Sequence, residues 1–340
     1  MIACRDTPNS KVARPSMKLI IQIPCLNEEE VLPLALADLP REVPGFDLVE
    51  WLIIDDGSTD RTVAVAKANG VDHVVRLSHN LGLAKAFIAG IQECARLGAD
   101  VVVNTDADNQ YDASYIPALT APVVANEADM VIGARPIAKI SHFSPVKKLL
   151  QSLGSLAVRW ASSTDVRDAT SGFRALRVSD ALRLNVYNNY TYTIETIIQA
   201  GHRGFRVKNV DVAVNEDLRP SRLVKSIPSY VFRNTLTILR YFVIYKPFRF
   251  FVYISMLPFS MSAILFVRFF WYYVFLSGDG KIQSLIIAGT MLMLSIILVS
   301  MGIIGDILAI NRRLLEEIRY QAVAGKSEVL KDKSDEVSGK

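Results

Sequence analysis

The sequence predicts an α/β fold on a mostly parallel sheet, followed by an interfacial helix and two transmembrane helices. Four apolar runs, Ile20-Ile21-Gln22-Ile23, Trp51-Leu52-Ile53-Ile54, Val74 to Leu77 and Val101-Val102-Val103, each run into a polar loop, and helical patterns separate them. Strand, loop and helix in repetition give a parallel sheet whose ligands gather at the carboxyl ends of the strands. Further on, Phe250 to Leu276 is apolar apart from Arg268, and Leu285 to Gly305 carries no charge. Each exceeds the roughly 20 residues that cross a bilayer.

The elements follow in order. Residues 1–16 are polar, lack the apolar core of a secretory signal and read as a disordered tail. Residues 17–218 form the α/β domain, with strand ends at Pro24-Cys25-Leu26-Asn27-Glu28-Glu29, at Asp55-Asp56-Gly57-Ser58-Thr59-Asp60, at His79 to Lys85 and at Asp106-Ala107-Asp108. A fifth strand, Met130 to Gly133, ends near Arg135. Residues 219–249 are basic: no acidic residue lies between Leu218 and Gly278, whereas Arg219, Arg222, Lys225, Arg233, Arg240, Lys246 and Arg249 precede or meet the first apolar run. Ile227, Val231, Ile238 and Phe242 recur there at helical spacing, as in a helix lying at a membrane surface, although ordinary juxtamembrane charge accounts for any one of the cations. The spans are placed at 250–276 and 282–310, and 311–340 is a charged tail whose end, from Lys326, reads as disordered.

Composition agrees with a membrane protein. Of 340 residues 51% are hydrophobic, and mean hydropathy is +0.26. The link between the spans is short and carries only Lys281 beside Asp279, while cations flank the far ends, so the positive-inside rule puts the α/β domain and both termini in the cytoplasm. A net charge of only +4 makes the basicity local, which points to anionic lipid headgroups and away from nucleic acid. Cys4, Cys25 and Cys94 have no metal-ligand spacing and read as reduced thiols. Self-association of so small a bundle is an expectation of its exposed faces.

Asp106-Ala107-Asp108 carries the chemistry. Two hard oxygen ligands after a buried strand suit Mg2+ or Mn2+, which takes one or two carboxylates and leaves room for substrate phosphates. Taken alone, the triplet reads more readily as a solvated acidic turn.

Six strings in order change that balance: Ile23-Pro24-Cys25-Leu26-Asn27-Glu28-Glu29, Asp55-Asp56-Gly57-Ser58, Asn80-Leu81-Gly82, Asp106-Ala107-Asp108-Asn109-Gln110, Gly133-Ala134-Arg135 and Asp168-Ala169-Thr170-Ser171-Gly172-Phe173-Arg174. With them the chain resembles the family-2 glycosyltransferases of GT-A fold over roughly residues 17 to 250, and more closely the branch that loads a sugar onto a polyprenyl phosphate. The resemblance implies a nucleotide-sugar-binding domain, a nucleotide-sugar donor and inverting transfer of one sugar.

Charge then assigns roles. A departing nucleoside diphosphate needs a divalent cation and a helper cation. Asp108, with Asp106 and Gln110, is the expected metal set, Asp106 and Gln110 also facing the donor, and Arg135 the expected helper, although a strand-end arginine is structurally ordinary. Asp55 is placed on the base or ribose, with Pro24, Leu26 and Glu28 lining the nucleotide as the resemblance implies, whereas Asp56-Gly57-Ser58 reads equally as a turn. An acceptor phosphate is already an anion and needs neutralising cations rather than a base, a task that fits Arg219 and Arg222 with Ser221. The resemblance puts donor- and acceptor-facing residues in the last string. Asp168 is given an orienting or base-like role, Ser171 and Arg174 substrate contact, and Glu195 stands as a second carboxylate, with a tight turn at Ser171-Gly172 as the alternative.

Two absences narrow the reading. Processive synthases of this fold carry Gln-x-x-Arg-Trp, whereas Arg159-Trp160 here is preceded by Leu156 at the glutamine position. The Gly-x-Gly-x-x-Gly of a nicotinamide dehydrogenase is replaced by the acidic loop after the first strand. A UDP-hexose, UDP-glucose above all, is the expected donor ahead of GDP-mannose. A non-catalytic membrane scaffold or transport partner is the alternative of another class.

Overall fold

The structure, a computed structural model, describes residues 16–136, 145–186, 192–215, 236, 239–240, 242–275 and 282–338. Strands β1 (Lys18–Cys25), β2 (Leu48–Asp55), β3 (His73–Arg76), β4 (Val101–Asn104), β5 (Met130–Ala134), β6 (Arg174–Arg177) and β7 (Val207–Asp211) form a seven-stranded sheet in the order β3-β2-β1-β4-β6-β5-β7. It is mostly parallel, as expected. β6 alone runs antiparallel, to β4 on one side and β5 on the other, with Arg174 opposite both Asn104 and Ile132. That reversal positions the site: it brings the start of β6, and the string before it, to the edge where β4 and β5 end.

Both faces of the sheet are covered, so its strands read as apolar runs. Leu19, Ile21, Ile23, Ile53, Val101 and Val103 pack under α1 (Leu32–Asp38), α2 (Thr62–Ala68) and α4 (Ile116–Val124). Their alternates Ile20, Leu52, Ile54 and Val102 pack under α3 (Leu83–Arg96), α5 (Pro145–Ser162), α6 (Val178–Ala181) and α7 (Thr193–His202).

Two C-terminal helices, α8 (Pro247–Phe275) and α9 (Ile282–Ser338), leave the domain. Pro247–Phe275 and Ile282–Ala322 are long and apolar enough to cross a membrane, and only 17% of the apolar window of each is buried within the protein. A soluble core helix would bury most of such a window, whereas here Leu257, Ile264 and Val267 are exposed, an arrangement consistent with a membrane anchor. Small residues let the two helices approach: Ser262 Oγ donates to the Ala288 carbonyl at 2.8 Å, and Ser295 Oγ to that of Ser255 at 3.2 Å.

The chain after the second apolar stretch differs from the expected tail. α9 continues to Ser338, and its first charged turns return to the domain. Glu316, 7% exposed, pairs with Arg203 at 2.7 Å, Arg312 lies over the Tyr245 ring at 4.0 Å, and Arg183 over Tyr320 at 4.7 Å. Charge content alone reads such a segment as solvated; its partners come from distant parts of the chain. The expected interfacial helix lies largely outside the described residues, as do Arg219, Ser221 and Arg222.

Candidate active site

The first two strand ends are tied together before they meet any ligand. Asn27, at φ 55°, donates its backbone N–H to Ser58 Oγ at 2.9 Å and accepts the Thr59 N–H on Oδ1 at 2.9 Å; Glu28 N–H reaches Thr62 Oγ1 at 2.8 Å. Pro24 is buried in β1, and Leu26 and Glu28 follow at its mouth. Asp55, fully buried, accepts the Ser58 N–H on Oδ1 at 2.8 Å. Its Oδ2 faces Arg76 Nε at 3.1 Å as an ion pair without an aligned hydrogen bond. Asp56 does other work: it accepts the N–H groups of Leu81 at 2.7 Å and Gly82 at 2.9 Å, and so fixes the third loop. Gly57 permits this approach, because a Cβ there would meet the His79 backbone at 2.7 Å.

A polar network supports the acidic triplet from below. Gln22 Nε2 donates to Asn104 Oδ1 at 2.9 Å across β1 and β4, and Asn104 Nδ2 donates to the Gly172 carbonyl at 2.9 Å and to Tyr192 OH at 2.7 Å. Tyr192 stacks on Phe87 at 4.0 Å. Above it sits Asp106, whose carboxyl burial and the neighbouring Asp108 push up to about 7 against Arg135 and Arg174. Burial likewise pushes the Cys25 thiol up, helped by Glu28, Asp55, Asp60 and Asp106, so the acidic groups of β1, β2 and β4 share one edge.

Gly172 is a close-approach residue, for a reason that a tight turn at Ser171-Gly172 does not contain. A Cβ there would lie 2.9 Å from Asp106 Oδ2 and 3.1 Å from Tyr192 OH. The end of a short side chain gives way more easily than backbone, so Gly172→Ala is expected to displace Asp106 rather than unfold the sheet. Turnover should fall while circular dichroism stays unchanged; normal kcat would show that Asp106 tolerates the shift.

Arg135 is gripped on three sides, with its side chain 8% exposed. Nε donates to Asp168 Oδ2 at 2.6 Å, Nη2 to Asp168 Oδ1 at 3.1 Å and to Thr170 Oγ1 at 2.8 Å, and Nη1 to Gln110 Oε1 at 3.3 Å. Burial works to raise the Asp168 carboxyl, but the Arg135 guanidinium and the Thr170 donors hold it below the ordinary aspartate value. Tyr111 completes the wall: its OH accepts the Gly172 N–H at 3.0 Å and its ring lies 5.7 Å from the Arg135 guanidinium.

Two of the expected substrate contacts, Arg174 and Ser171, are engaged inside the protein. Arg174 is fully buried and donates to the carbonyls of Ser171 at 2.8 Å and Thr193 at 2.9 Å, and to Thr196 Oγ1 at 2.7 Å. It braces the turn from within. Ser171 is likewise fully buried and accepts the Phe173 N–H at 3.3 Å, as the tight-turn alternative has it. Glu195, on α7, is also fully buried, beside Gln199 at 3.4 Å.

A divalent cation fits this edge on its donor chemistry. Among the described residues no cluster of three or more His, Cys, Asp or Glu forms a closed metal cage. Asp106 and Asp108 offer the one or two carboxylates that Mg2+ or Mn2+ takes when substrate supplies the rest. A cation would relieve the burial and mutual repulsion that raise Asp106.

Comparison with known proteins identifies the family and the fold. The description "Glycosyl transferase family 2" matches residues 20–182. An undecaprenyl-phosphate mannosyltransferase of Micrococcus luteus is 32% identical over 219 residues, 61% of this chain and 88% of that protein. The chain belongs to glycosyl transferase family 2. This glycosyltransferase is also similar to a polyprenol monophosphomannose synthase of Mycolicibacterium smegmatis, 29% identical over 214 residues, 60% of this chain and 79% of that one. Its fold matches glucosyl-3-phosphoglycerate synthase from Mycobacterium tuberculosis, crystallised with Mn2+, UDP-glucose and phosphoglyceric acid, with a TM-score of 0.52 and 21% identity over 65% of this chain and 79% of that chain.

Proposed function

We propose that this glycosyltransferase moves one hexosyl residue, with inversion, from a nucleoside diphosphate sugar to a polyprenyl phosphate at the cytoplasmic face of a membrane. The observation that carries the reading is a buried, pre-aimed Arg135 on the same sheet edge as Asp106, in a chain that continues into two apolar helices. Asp106 and Asp108 would hold Mg2+ or Mn2+, which when bound neutralises the departing diphosphate. Gln110 hydrogen-bonds Arg135, so we assign it to holding that cation in place rather than to the metal. Asp55 binds the base or ribose through the oxygen that has no aligned donor.

Asp168 orients Arg135. Both its oxygens are engaged and its carboxyl is held below the ordinary aspartate value, which makes it a weak proton acceptor and favours the orienting role. A phosphate acceptor needs no such base, since its second pKa is near 6. Arg219 and Arg222, with Ser221, lie in sequence between β7 and the first apolar helix and suit a lipid phosphate. Cations at Arg240, Lys246, Arg249, Arg312, Arg313 and Arg319 support, by the positive-inside rule, a cytoplasmic side for the domain and both termini.

For the sugar, the two curated relatives weigh against the UDP-glucose expected above, since both names specify mannose. We therefore put GDP-mannose first. Purified protein in vesicles, given radiolabelled nucleotide sugars with polyprenyl phosphate or polyprenol, is expected to form a mannosyl lipid from the phosphate only. Replacing Arg219 and Arg222 by Ala should slow transfer about tenfold to a hundredfold at limiting acceptor, with donor affinity unchanged. Efficient transfer to polyprenol would remove the lipid-phosphate mechanism, and absence of both transfer and donor hydrolysis would favour the scaffold alternative.

A further inference from the structure

Leu156 and Trp160 sit one turn apart on α5 and are 58% and 62% exposed, while Ser155, Val158, Ala161 and Ser162 on the other face of the helix are buried. α5 thus packs one face on the domain and turns large apolar side chains outward. That outward face joins the first apolar helix through aromatic contacts. Trp160 meets Phe242 at 4.7 Å, Phe242 meets Phe250 edge-on at 5.9 Å, and Phe250 meets Phe251 at 5.3 Å, the last two on the opening turn of α8. Cations border the ladder. Arg159 keeps 47% of its side chain exposed although paired with Asp165, Lys246 Nζ lies 3.4 Å from Ser163 Oγ, and Arg249 is exposed.

We propose that the α5 face around Leu156 and Trp160 seats in the headgroup boundary of an anionic bilayer, so that the catalytic domain contacts the membrane directly beside its two anchoring helices. The occupant is lipid because, among the described residues, aromatic contacts carry the patch from Trp160 through Phe242 to the opening turn of α8, and because an aromatic ring flanked by cations matches the chemistry of that boundary. The inference rests on the membrane anchoring proposed above. Its consequence reaches the site, since Ser155 Oγ on α5 accepts the Ala169 N–H at 3.3 Å, within the string that holds Arg135. Leu156 and Trp160 are therefore positioning residues.

The three tryptophans, Trp51, Trp160 and Trp271, permit a direct test. Trp51 is 6% exposed in β2, and Trp271 is exposed on α8. Full-length single-tryptophan variants, W51F/W271F for Trp160 and W51F/W160F for Trp271, would be placed in phosphatidylcholine–phosphatidylglycerol vesicles bearing brominated acyl chains. Trp160 is expected to emit at shortened wavelength and to be quenched by bromines near the headgroup but not by aqueous iodide. Quenching by iodide alone, with Trp271 quenched by bromine, would put α5 in water and overturn the proposal while leaving the anchor intact. Shielding from both quenchers would indicate a protein occupant, such as a second copy, and would also overturn it. Failure of Trp271 to be quenched would sink the anchoring itself. As a second readout, Trp160→Glu is expected to lower kcat/KM for vesicle-borne polyprenyl phosphate several-fold with nucleotide affinity unchanged; an unchanged kcat/KM would deny the positioning role.

Discussion

Asp108→Asn is expected to reduce transfer by roughly a hundredfold to a thousandfold, the cost of deleting one pre-placed charge that acts on the leaving group. The substitution keeps the bulk and removes the charge proposed to hold the metal. It should not cost stability. The Asp106 carboxyl is raised by burial first and by Asp108 second, so in the folded protein its anion is disfavoured relative to the unfolded chain, and a neutral neighbour lessens that penalty at neutral pH. Inactive protein that melts no lower than the parent is therefore the expected pair of results, the usual sign of a site that trades stability for function. Radiolabel transfer across a Mn2+ series and a thermal melt measure both. Near-normal turnover at saturating metal would remove Asp108 from the site.

Five of the seven strands and their loops were legible because a run such as Val101-Val102-Val103, buried on both faces of the sheet, has no other use, whereas the short β6 and the half-exposed β7 carry no such run. Which side chains at the strand ends point to ligand was less so. Asp55 and Asp56 are neighbours in sequence, yet one sits at the mouth of the edge and the other fastens Leu81 and Gly82, a partner about 25 residues away that no local pattern announces. Arg174 reads as a substrate cation until β6 is seen to run antiparallel, which turns its side chain into the space between Ser171, Thr193 and Thr196. Gly172 belonged to a recognisable string, but its reason, the Asp106 carboxylate lying against it, exists only in the fold. Asn104 did carry a signal: an amide closing a run of valines must find buried partners, and it finds Gln22 and Tyr192.

The Arg135–Asp168 pair separates orientation from proton transfer. Asp168→Ala would leave a guanidinium with its side chain 8% exposed without its bidentate partner, a change that costs about 3–5 kcal/mol. The sign follows from Asp168, whose carboxyl lies below its ordinary value in the fold. Its contribution is complete above the unfolded value of about 3.9 and fades only as pH falls through the folded one, so the loss should be fully visible at pH 7. Removing Arg135 as well, in the double alanine variant, should restore much of the stability but none of the transfer, because the cation proposed to meet the diphosphate has gone. Arg135→Lys should be nearly as inactive, since a lysine cannot hold two oxygens of Asp168 and Thr170 at once. In Asp168→Asn, where the shape and one acceptor remain, transfer should drop while the pH dependence of what is left keeps its form. A proton-accepting Asp168 would behave otherwise: its loss would abolish a limb of the pH–rate profile, and an Arg135→Lys variant would keep most of its activity. Those two outcomes together would replace the orienting role with a base.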